Sequence, residues 1–285
     1  MNPSMVSVSG AAEVVSACDG VLAQGGAQEG LHFVPGDVTG LAYFLFVPTR
    51  VLSGRVLVSV HGISRNAREH IEMFKRMAQD HGALLVAPCF TAAEFPGYQR
   101  LGNKGVGPRA DLALIRVLND VHVRTACDTS RVDLFGFSGG AQFAHRFAFV
   151  HPQRVRRLSI GSAGWYTLPD PAYTYPYGVS DAKGLYGARL NLWAALRIRV
   201  LVLVGEQDNR VDDEELNQRP MVRRSQGPHR VARAETWVKA MNGRALSAGQ
   251  GGRVDLQLMP GVGHSFSQAV LVGQLDKAVF AHCYA

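Results

Sequence analysis

Residues 132–140 read Val-Asp-Leu-Phe-Gly-Phe-Ser-Gly-Gly, and this stretch decides the fold. Its largely apolar first half predicts a buried strand, and the segment 140–151 behind it predicts an amphipathic helix. Between them, Ser138 stands in a Gly-x-Ser-x-Gly pattern, with Gly136 and Gly140 at its flanks. These glycines allow a turn too tight for side chains, and such a turn exposes the serine oxygen above the sheet. The pattern alone also fits an ordinary turn, but the strand and the helix around it favour a nucleophile at Ser138.

Short β-branched segments alternate with longer amphipathic segments along the rest of the chain. This alternation predicts the α/β class, with a mostly parallel central sheet and helices on both of its faces. The run 56–60 is nearly all apolar, as expected for a parallel strand that is covered on both sides. The predicted strands are 41–48, 56–61, 84–88, 132–137, 155–160, 200–205 and 254–259, and the predicted helices are 110–123, 140–151, 230–241 and 268–282.

Two stretches interrupt the alternation. Residues 165–195 follow the strand 155–160, the sixth of the expected fold, and hold five of the eight tyrosines together with several prolines. They predict a short cap-like excursion over the carboxyl edge of the sheet. Residues 209–229 are highly charged and predict a long surface loop. We therefore expect a single domain over residues 1–285, with residues 1–30 peripheral to it.

The composition is that of a globular protein, with 47% hydrophobic and 19% charged residues. The first 30 residues contain no Lys or Arg, so the basic start of a secretory signal is missing. No stretch reaches the roughly 20 apolar residues of a membrane helix. The four cysteines are scattered and predict free thiols. These features predict a soluble, cytoplasmic protein without a membrane partner.

The formal net charge of +7 raises the question of a nucleic-acid partner. The basic residues are spread along the chain, however, and their densest cluster, within 219–233, adjoins the acidic run 212–215. We therefore expect a mixed-charge surface and no nucleic-acid partner. No pattern in the sequence assigns an oligomeric state.

A serine nucleophile needs a base, and the base needs a carboxylate that orients it, because an alcohol reacts poorly at neutral pH. The strand 200–205 runs directly towards Asp208, and the strand 254–259 is followed by a glycine-rich turn that contains His264. Both side chains are therefore expected at the edge of the sheet that holds Ser138, in the chain order serine, acid, histidine. Glu206 and Asp212 are rival acids.

Other titratable residues near these segments have simpler interpretations. His229 follows the acid but stands where a helix begins, and His145 and His151 lie on the helix after Ser138, where packing or exposure is usual. Asp111 lies near the start of a predicted helix, where a carboxylate suits the helix dipole. Only His264 fits the position of the base.

An oxyanion that forms during attack on a carbonyl must be met by preorganised N–H donors. The backbone N–H of Gly139, directly after Ser138, is one predicted donor. The second is expected in the loop after the strand 56–61, where Gly62 allows a close approach and Ile63 carries the N–H. His61 could take part in this site or only hold the loop in shape.

With these motifs in register, the chain resembles the α/β-hydrolase superfamily from the strand 41–48 to the final helix. Within the superfamily it is most similar to compact serine esterases related to polyhydroxybutyrate depolymerases and feruloyl esterases. The resemblance places the acid a few residues beyond the strand 200–205, and so favours Asp208 over Glu206 and Asp212. The motifs that carry it are His61-Gly62, Gly136-x-Ser138-x-Gly140, Gly205-x-x-Asp208 and Gly263-His264.

The resemblance implies a hydrolase that cleaves small or polymeric esters through an acyl-enzyme on Ser138, which a water activated by His264 then releases. It implies no metal and no organic cofactor. A peptidase or amidase of the prolyl-oligopeptidase-like type is one alternative, and a catalytically silent binding protein on the same fold is another. Trp165 and Tyr166 open the excursion, and are expected either to line a substrate pocket or to pack the excursion onto the domain.

Overall fold

The central feature of the fold is a twisted sheet of eight strands. The computed structural model describes residues 27–52, 54–102, 106–180, 185 and 187–284. The strands among them are β1 (Gly30–Val34), β2 (Tyr43–Val47), β3 (Val56–Val60), β4 (Leu84–Pro88), β5 (Val132–Phe137), β6 (Val155–Gly161), β7 (Arg199–Gly205) and β8 (Val254–Met259). They lie in the order β1-β2-β4-β3-β5-β6-β7-β8. The six strands β4-β3-β5-β6-β7-β8 are parallel to one another, and β2 is antiparallel to both β1 and β4.

Helices cover both faces of this sheet, as predicted. The helices among the described residues are α1 (Ala67–His81), α2 (Ala110–Thr125), α3 (Gly139–Val150), α4 (Leu192–Ala195), α5 (Pro220–Gln226), α6 (Arg230–Ser247), α7 (Phe266–Leu271) and α8 (Leu275–Tyr284). Side chains of α2, α3 and α6 share one apolar core with one face of the strands, and side chains of α1, α7 and α8 share a second core with the other face. Alternate residues of β3 enter different cores: Val58 belongs to the first and Leu57 to the second.

The seven predicted strands are all present, with ends that differ from the prediction by at most two residues. β1 was not predicted. It is the antiparallel edge strand, and its residues are mostly half-buried or exposed, although Leu31 and Phe33 are apolar. Strands inside the sheet are easier to recognise because every residue of β3, β4 and β5 is buried.

The helices differ from the prediction at several places: α4 was not predicted, and α6 extends to Ser247, beyond the predicted end at 241. α1 was not predicted, although its buried residues Ile71, Phe74 and Ala78 follow a helical spacing. The helix predicted at 268–282 is wrong as one element: the chain breaks between α7 and α8, where Gln274 has a φ of 53°. The loop predicted at 209–229 contains α5, which begins at Pro220, a residue whose fixed φ suits a first helical turn.

The predicted excursion begins beyond β6 and is held tightly at its start. Tyr166 is fully buried, stacks on Trp237 and exchanges backbone hydrogen bonds with the side chain of Gln226. Tyr175 is also buried. Tyr186, residues 181–184 and residues 1–26 of the segment predicted to be peripheral lie outside the described residues.

The candidate site residues lie at one edge of the sheet, at the carboxyl ends of the parallel strands. The segments that hold Ser138, Asp208 and His264 all follow carboxyl ends, those of β5, β7 and β8. At the opposite edge, residues 248–253 form an exposed glycine-rich turn that leads from α6 into β8. Within the described part of the chain, no helix combines the length and the apolar character that crossing a membrane demands.

Candidate active site

Ser138 lies in a strained turn between β5 and α3. Its φ of 52° and ψ of −111° are values that side-chain-bearing residues rarely adopt. The turn depends on its glycines: a Cβ added to Gly136 would lie 2.2 Å from the carbonyl oxygen of Gly140. A Cβ added to Gly140 would lie 2.0 Å from the carbonyl oxygen of Val60. The two glycines therefore let α3 start directly against β3 and β5, and this packing holds the serine at the end of the sheet.

The structure brings Ser138, His264 and Asp208 into one hydrogen-bonded line. The Nε2 atom of His264 lies 3.0 Å from Oγ of Ser138, although 126 residues separate them in the sequence. Its Nδ1 atom lies 2.7 Å from Oδ2 of Asp208. With Nδ1–H donating to Asp208, Nε2 is left as an acceptor that faces the serine hydroxyl. This arrangement can take the proton of the hydroxyl as the oxygen attacks an electrophile.

The turns that carry Asp208 and His264 are tied to each other by backbone contacts. The N–H of Gln207 donates to the carbonyl oxygen of Val262 at 2.9 Å, and the N–H of Glu206 donates to that of Met259 at 3.0 Å. A Cβ on Gly205 would lie 2.1 Å from the same Val262 oxygen. The spacing between the acid and the base is therefore set by the backbone as well as by their own hydrogen bond.

Sequence reasoning missed a second partner of Asp208. The Nη1 atom of Arg230, at the start of α6, lies 3.2 Å from Oδ1 of Asp208 and 2.5 Å from Oδ2 of Asp213. Burial alone would raise the pKa of Asp213, but the hydrogen bond from Arg230 contributes to holding this pKa below its usual value. The only signal in the sequence was the charge density of the loop, which had predicted a solvated surface.

The rival residues lie elsewhere. Glu206 and Asp212 are exposed, and Asp212 faces Arg210 at 3.4 Å. His229 is the N-cap of α6, where its Nδ1 accepts a hydrogen bond from Ala232, which agrees with a helix-start residue. The remaining candidates are held by structural contacts: His145 by Ala141 and Thr167, and His151 by Asp111, which also pairs with Arg109.

The two predicted oxyanion donors lie next to Ser138. A Cβ added to Gly62 would come within 3.4 Å of Cβ of Ser138, so the loop after β3 runs close to the serine. A Cβ added to Gly139 would lie 2.9 Å from Cγ2 of Ile63, so these residues are neighbours. Among the residues that the structure describes, no acceptor pairs with the backbone N–H of Ile63 or Gly139. Both N–H groups are thus available to a ligand.

His61 holds the shape of this loop. Its Nδ1 lies 2.8 Å from the carbonyl oxygen of Gly62, and its Nε2 accepts a hydrogen bond from the N–H of Phe90 at 3.0 Å. The imidazole is fully buried, and burial lowers its pKa to about 4. A neutral His61 therefore joins the segments after β3 and β4 without reaching the reacting atoms.

Two clefts meet at Ile63 and Glu215. The serine cleft, about 290 Å³, contains Ser138 and His264, and its walls combine apolar side chains of Ile63, Phe137 and Phe266 with polar side chains such as Ser64, Asn66, Glu69, Ser265 and Ser267. The tryptophan cleft, about 380 Å³, is lined mainly by Gln99, Arg100, Gln142, Trp165, Tyr177 and Arg219. Together the clefts form a connected space that begins at Ser138 and continues past Ile63 and Glu215 to Trp165.

Trp165 and Tyr166 have different environments. Trp165 lines the tryptophan cleft, with its ring centroid 4.2 Å from Cζ of Arg146. Arg146 is fully buried, and burial lowers its pKa to about 10. Tyr166, by contrast, packs in the core against Trp237, which agrees with the alternative that it packs the excursion onto the domain. In the described ranges, no three His, Cys, Asp or Glu side chains come together as metal ligands would.

Comparison with known proteins gives structural matches. No protein-family model and no curated protein matches the chain. Among solved structures, it is similar to poly(aspartic acid) hydrolase-1 from Sphingomonas sp. KT-1, with 24% identity, 90% of this chain and 100% of that chain covered, and a TM-score of 0.77. It is also similar to LpqC, the poly(3-hydroxybutyrate) depolymerase from Bordetella parapertussis, with 26% identity, coverages of 90% and 91%, and a TM-score of 0.71.

An S-formylglutathione hydrolase from Agrobacterium tumefaciens is a more distant match, with 13% identity, coverages of 88% and 94%, and a TM-score of 0.59. All three proteins are hydrolases, and all three are matched over most of their length. The strand order and these likenesses together identify the chain as an α/β-hydrolase-fold protein, of the type found in esterases and depolymerases.

Proposed function

We propose that the protein is a serine hydrolase that cleaves carboxylic esters through an acyl-enzyme on Ser138. The observation that carries this proposal is the line of two hydrogen bonds, 3.0 Å from Ser138 to His264 and 2.7 Å from His264 to Asp208. A strained serine at the start of a helix, with a base in reach and an acid behind the base, is the arrangement that acyl transfer to an alcohol requires.

In the proposed reaction, Oγ of Ser138 attacks the ester carbonyl while Nε2 of His264 takes its proton. The N–H groups of Ile63 and Gly139 stabilise the oxyanion of the tetrahedral intermediate, and Asp208 stabilises the imidazolium. Collapse of the intermediate breaks the bond to the alcohol, which receives its proton from His264. A water that gives its proton to His264 then attacks the acyl-enzyme; the bond between the acyl carbon and Oγ of Ser138 breaks, Oγ receives the proton back from His264, and the acid is released. No metal or organic cofactor enters these steps.

The substrate is proposed to be a small or polymeric ester. The similarity to a poly(3-hydroxybutyrate) depolymerase favours a polymeric ester, and two adjoining open clefts, one of which contains Ser138, suit an extended substrate. Trp165 is proposed to contact the substrate, because its ring lines the tryptophan cleft next to Ile63.

Covalent labelling tests the reaction class. A fluorophosphonate probe should label the native protein, and Ser138→Ala should remove the label. Ser247→Ala is a suitable control, since Ser247 lies on α6 and bonds only to the carbonyl oxygen of Gly243. An unlabelled native protein, or equal labelling of Ser138→Ala, would refute the serine-hydrolase proposal and favour a silent binding protein.

Two substrate series test the bond that is cleaved. We expect release of p-nitrophenol from short acyl esters, release of monomers from oligomers of 3-hydroxybutyrate, and no cleavage of aminoacyl anilides. The reverse selectivity would assign the protein to the peptidases or amidases.

We further propose a cytoplasmic location. It is supported by the free thiols of Cys89 and Cys283; burial raises the pKa of Cys89 to about 12 and raises that of Cys283 well above its usual value. Fractionation of the cells that naturally produce the protein would test this location, and recovery outside the cytoplasmic fraction would contradict it.

A further inference from the structure

The carboxylate of Asp208 is shared between His264 and a buried cation. Its Oδ2 faces Nδ1 of His264 at 2.7 Å, and its Oδ1 faces Nη1 of Arg230 at 3.2 Å. The side chains of Asp208 and Arg230 are each only 2% exposed, so solvent screens their interaction weakly. A guanidinium in this position opposes the formation of an imidazolium on His264, because it cancels part of the negative charge that stabilises that ion.

A second carboxylate balances this cation. Oδ2 of Asp213 lies 2.5 Å from the same Nη1 atom of Arg230, and its side chain is 19% exposed. Two carboxylates and one guanidinium carry a net charge of −1, the charge that Asp208 alone would present to His264. The four groups together become neutral when His264 receives the proton of Ser138. Burial raises the pKa of Asp213, whereas the hydrogen bond from Arg230 and, to a smaller extent, the charge of His264 lower it.

We propose that Arg230 and Asp213 are positioning residues of the active site: Arg230 fixes the orientation of Asp208, and Asp213 restores the negative charge that His264 needs when it becomes protonated. The inference rests on the proposed function, because it assumes that His264 is the base. With these two residues, the proposed active site comprises five side chains instead of three.

The loop that carries Asp213 is held in place by a further buried arginine. Arg233 donates to the carbonyl oxygens of Asn217 at 2.9 Å, Gly227 at 2.9 Å and Gly164 at 2.6 Å. These bonds fasten the chain on both sides of α5 to the core. The position of Asp213 is therefore a defined part of the structure.

Other charged or titratable groups also face this network. They are Arg233, which interacts with Arg230, the phenol of Tyr166 near Asp208, and Glu69 and Glu215 in the serine cleft with His264. All of them stay unchanged in the variants below, so differences between variants report on Arg230 and Asp213.

The test is the pH profile of kcat/KM for an uncharged ester. In Asp213→Asn, the amide oxygen can still accept from Arg230 but a negative charge is lost. The imidazolium is then less stable, and we expect the midpoint of the acidic limb to move to lower pH by roughly half to one pH unit. We also expect kcat to fall about tenfold, because the transition state contains the imidazolium.

Arg230→Met should move the midpoint the other way. Loss of the cation leaves two carboxylates near His264, which favours the imidazolium and shifts the acidic limb to higher pH. In the double variant Arg230→Met/Asp213→Asn the two changes oppose each other, so the midpoint should return close to that of the native protein. Asp212→Asn is the matched control, because Asp212 is the adjacent exposed carboxylate and should leave the profile unchanged.

The outcomes separate the possibilities. Lower kcat with unmoved midpoints in both single variants would mean that the pair only supports the fold, and shifts in the same direction would exclude the charge balance; either result overturns the proposal. If Arg230→Met does not fold, Asp213→Asn against Asp212→Asn decides the question alone. Failure of the proposed function is seen separately, as native protein that hydrolyses no ester and takes up no fluorophosphonate.

Discussion

The Nε2 atom of His61 accepts a hydrogen bond from the backbone N–H of Phe90, and this 3.0 Å contact joins the segment after β3 to the segment after β4. The loop that it fixes contains Gly62 and Ile63, which lie against Ser138 and Gly139. An imidazolium at position 61 could not accept this bond. The protonation of one buried side chain therefore affects the candidate oxyanion site.

The first prediction concerns stability at low pH. The pKa of His61 is about 4 in the folded state, below its ordinary value, so between pH 6.5 and pH 4 the unfolded chain binds the extra proton. Stability from this group is complete above pH 6.5 and is lost as the pH falls to 4. The stability lost between pH 6.5 and pH 4 is about 3 kcal/mol. This value corresponds to roughly two pKa units, because His61 is already partly protonated in the folded state at pH 4.

His61→Gln isolates this contribution, because the amide can accept from Phe90 and does not titrate. The free energy of unfolding in urea should fall more steeply between pH 7 and pH 4 for the native protein than for the variant. His145, whose pKa burial also lowers, is present in both proteins and cancels in the comparison. Parallel pH profiles would contradict the prediction.

The second prediction concerns the glycines. Gly140→Ala places a Cβ 2.0 Å from the carbonyl oxygen of Val60, so β3 or α3 must move, and we expect a loss of about 3 kcal/mol of stability together with most of the activity. Gly243→Ala is the control: it lies within α6, its Cβ would meet nothing within 4 Å, and it should stabilise the helix by up to about 1 kcal/mol. Thermal unfolding measures both. A stable, active Gly140→Ala would show that the turn does not need this glycine.

The third prediction concerns the acid. Asp208→Asn should reduce kcat by about 10⁴-fold with the fold intact, since the amide cannot hold the imidazole in the required tautomer or stabilise its charge. Glu206→Gln should keep full activity, because Glu206 is exposed in the neighbouring turn. Steady-state kinetics on a p-nitrophenyl ester measure this. Near-full activity of Asp208→Asn would return the role to Glu206 or Asp212.

The fourth prediction concerns the tryptophan cleft. Trp165→Leu removes aromatic surface from the cleft, and we expect KM to rise about tenfold for esters with long or aromatic acyl groups and to change little for acetyl esters. Trp193→Leu, at a tryptophan that is 54% exposed on α4, should leave both values unchanged. Equal effects on acetyl and long-chain esters would exclude a direct contact between Trp165 and the acyl group.

The positions of Ser138, Asp208 and His264 could be predicted because each follows a strand, β5, β7 or β8, that a short stretch of sequence is enough to predict. Their turns also require glycine for reasons of backbone contact, at Gly136, Gly140 and Gly205, and these glycines are visible in the sequence. The chain order of the three functional groups then agreed with one fold. A short sequence pattern was therefore enough to predict a turn wherever the close backbone contacts of that turn require glycine.

The contacts of Arg230 with Asp208 and Asp213 could not be predicted in this way. The pair is formed by a loop and a helix start that are 17 residues apart, and both residues stand in a charged stretch that is typical of a surface. Burial made Arg230 a partner of both Asp208 and Asp213, and burial is a property of the folded chain. β1 was missed for the related reason that an edge strand is only partly buried.

The exposed turn at 248–253 has a practical consequence. It enters β8 at the amino end, whereas His264 follows the carboxyl end of the same strand, and a strand of six residues spans roughly 20 Å. A reactive handle placed in this turn would fix the protein to a bead or an electrode with both clefts directed away from the support. The strand itself would act as the spacer between the anchor and the chemistry.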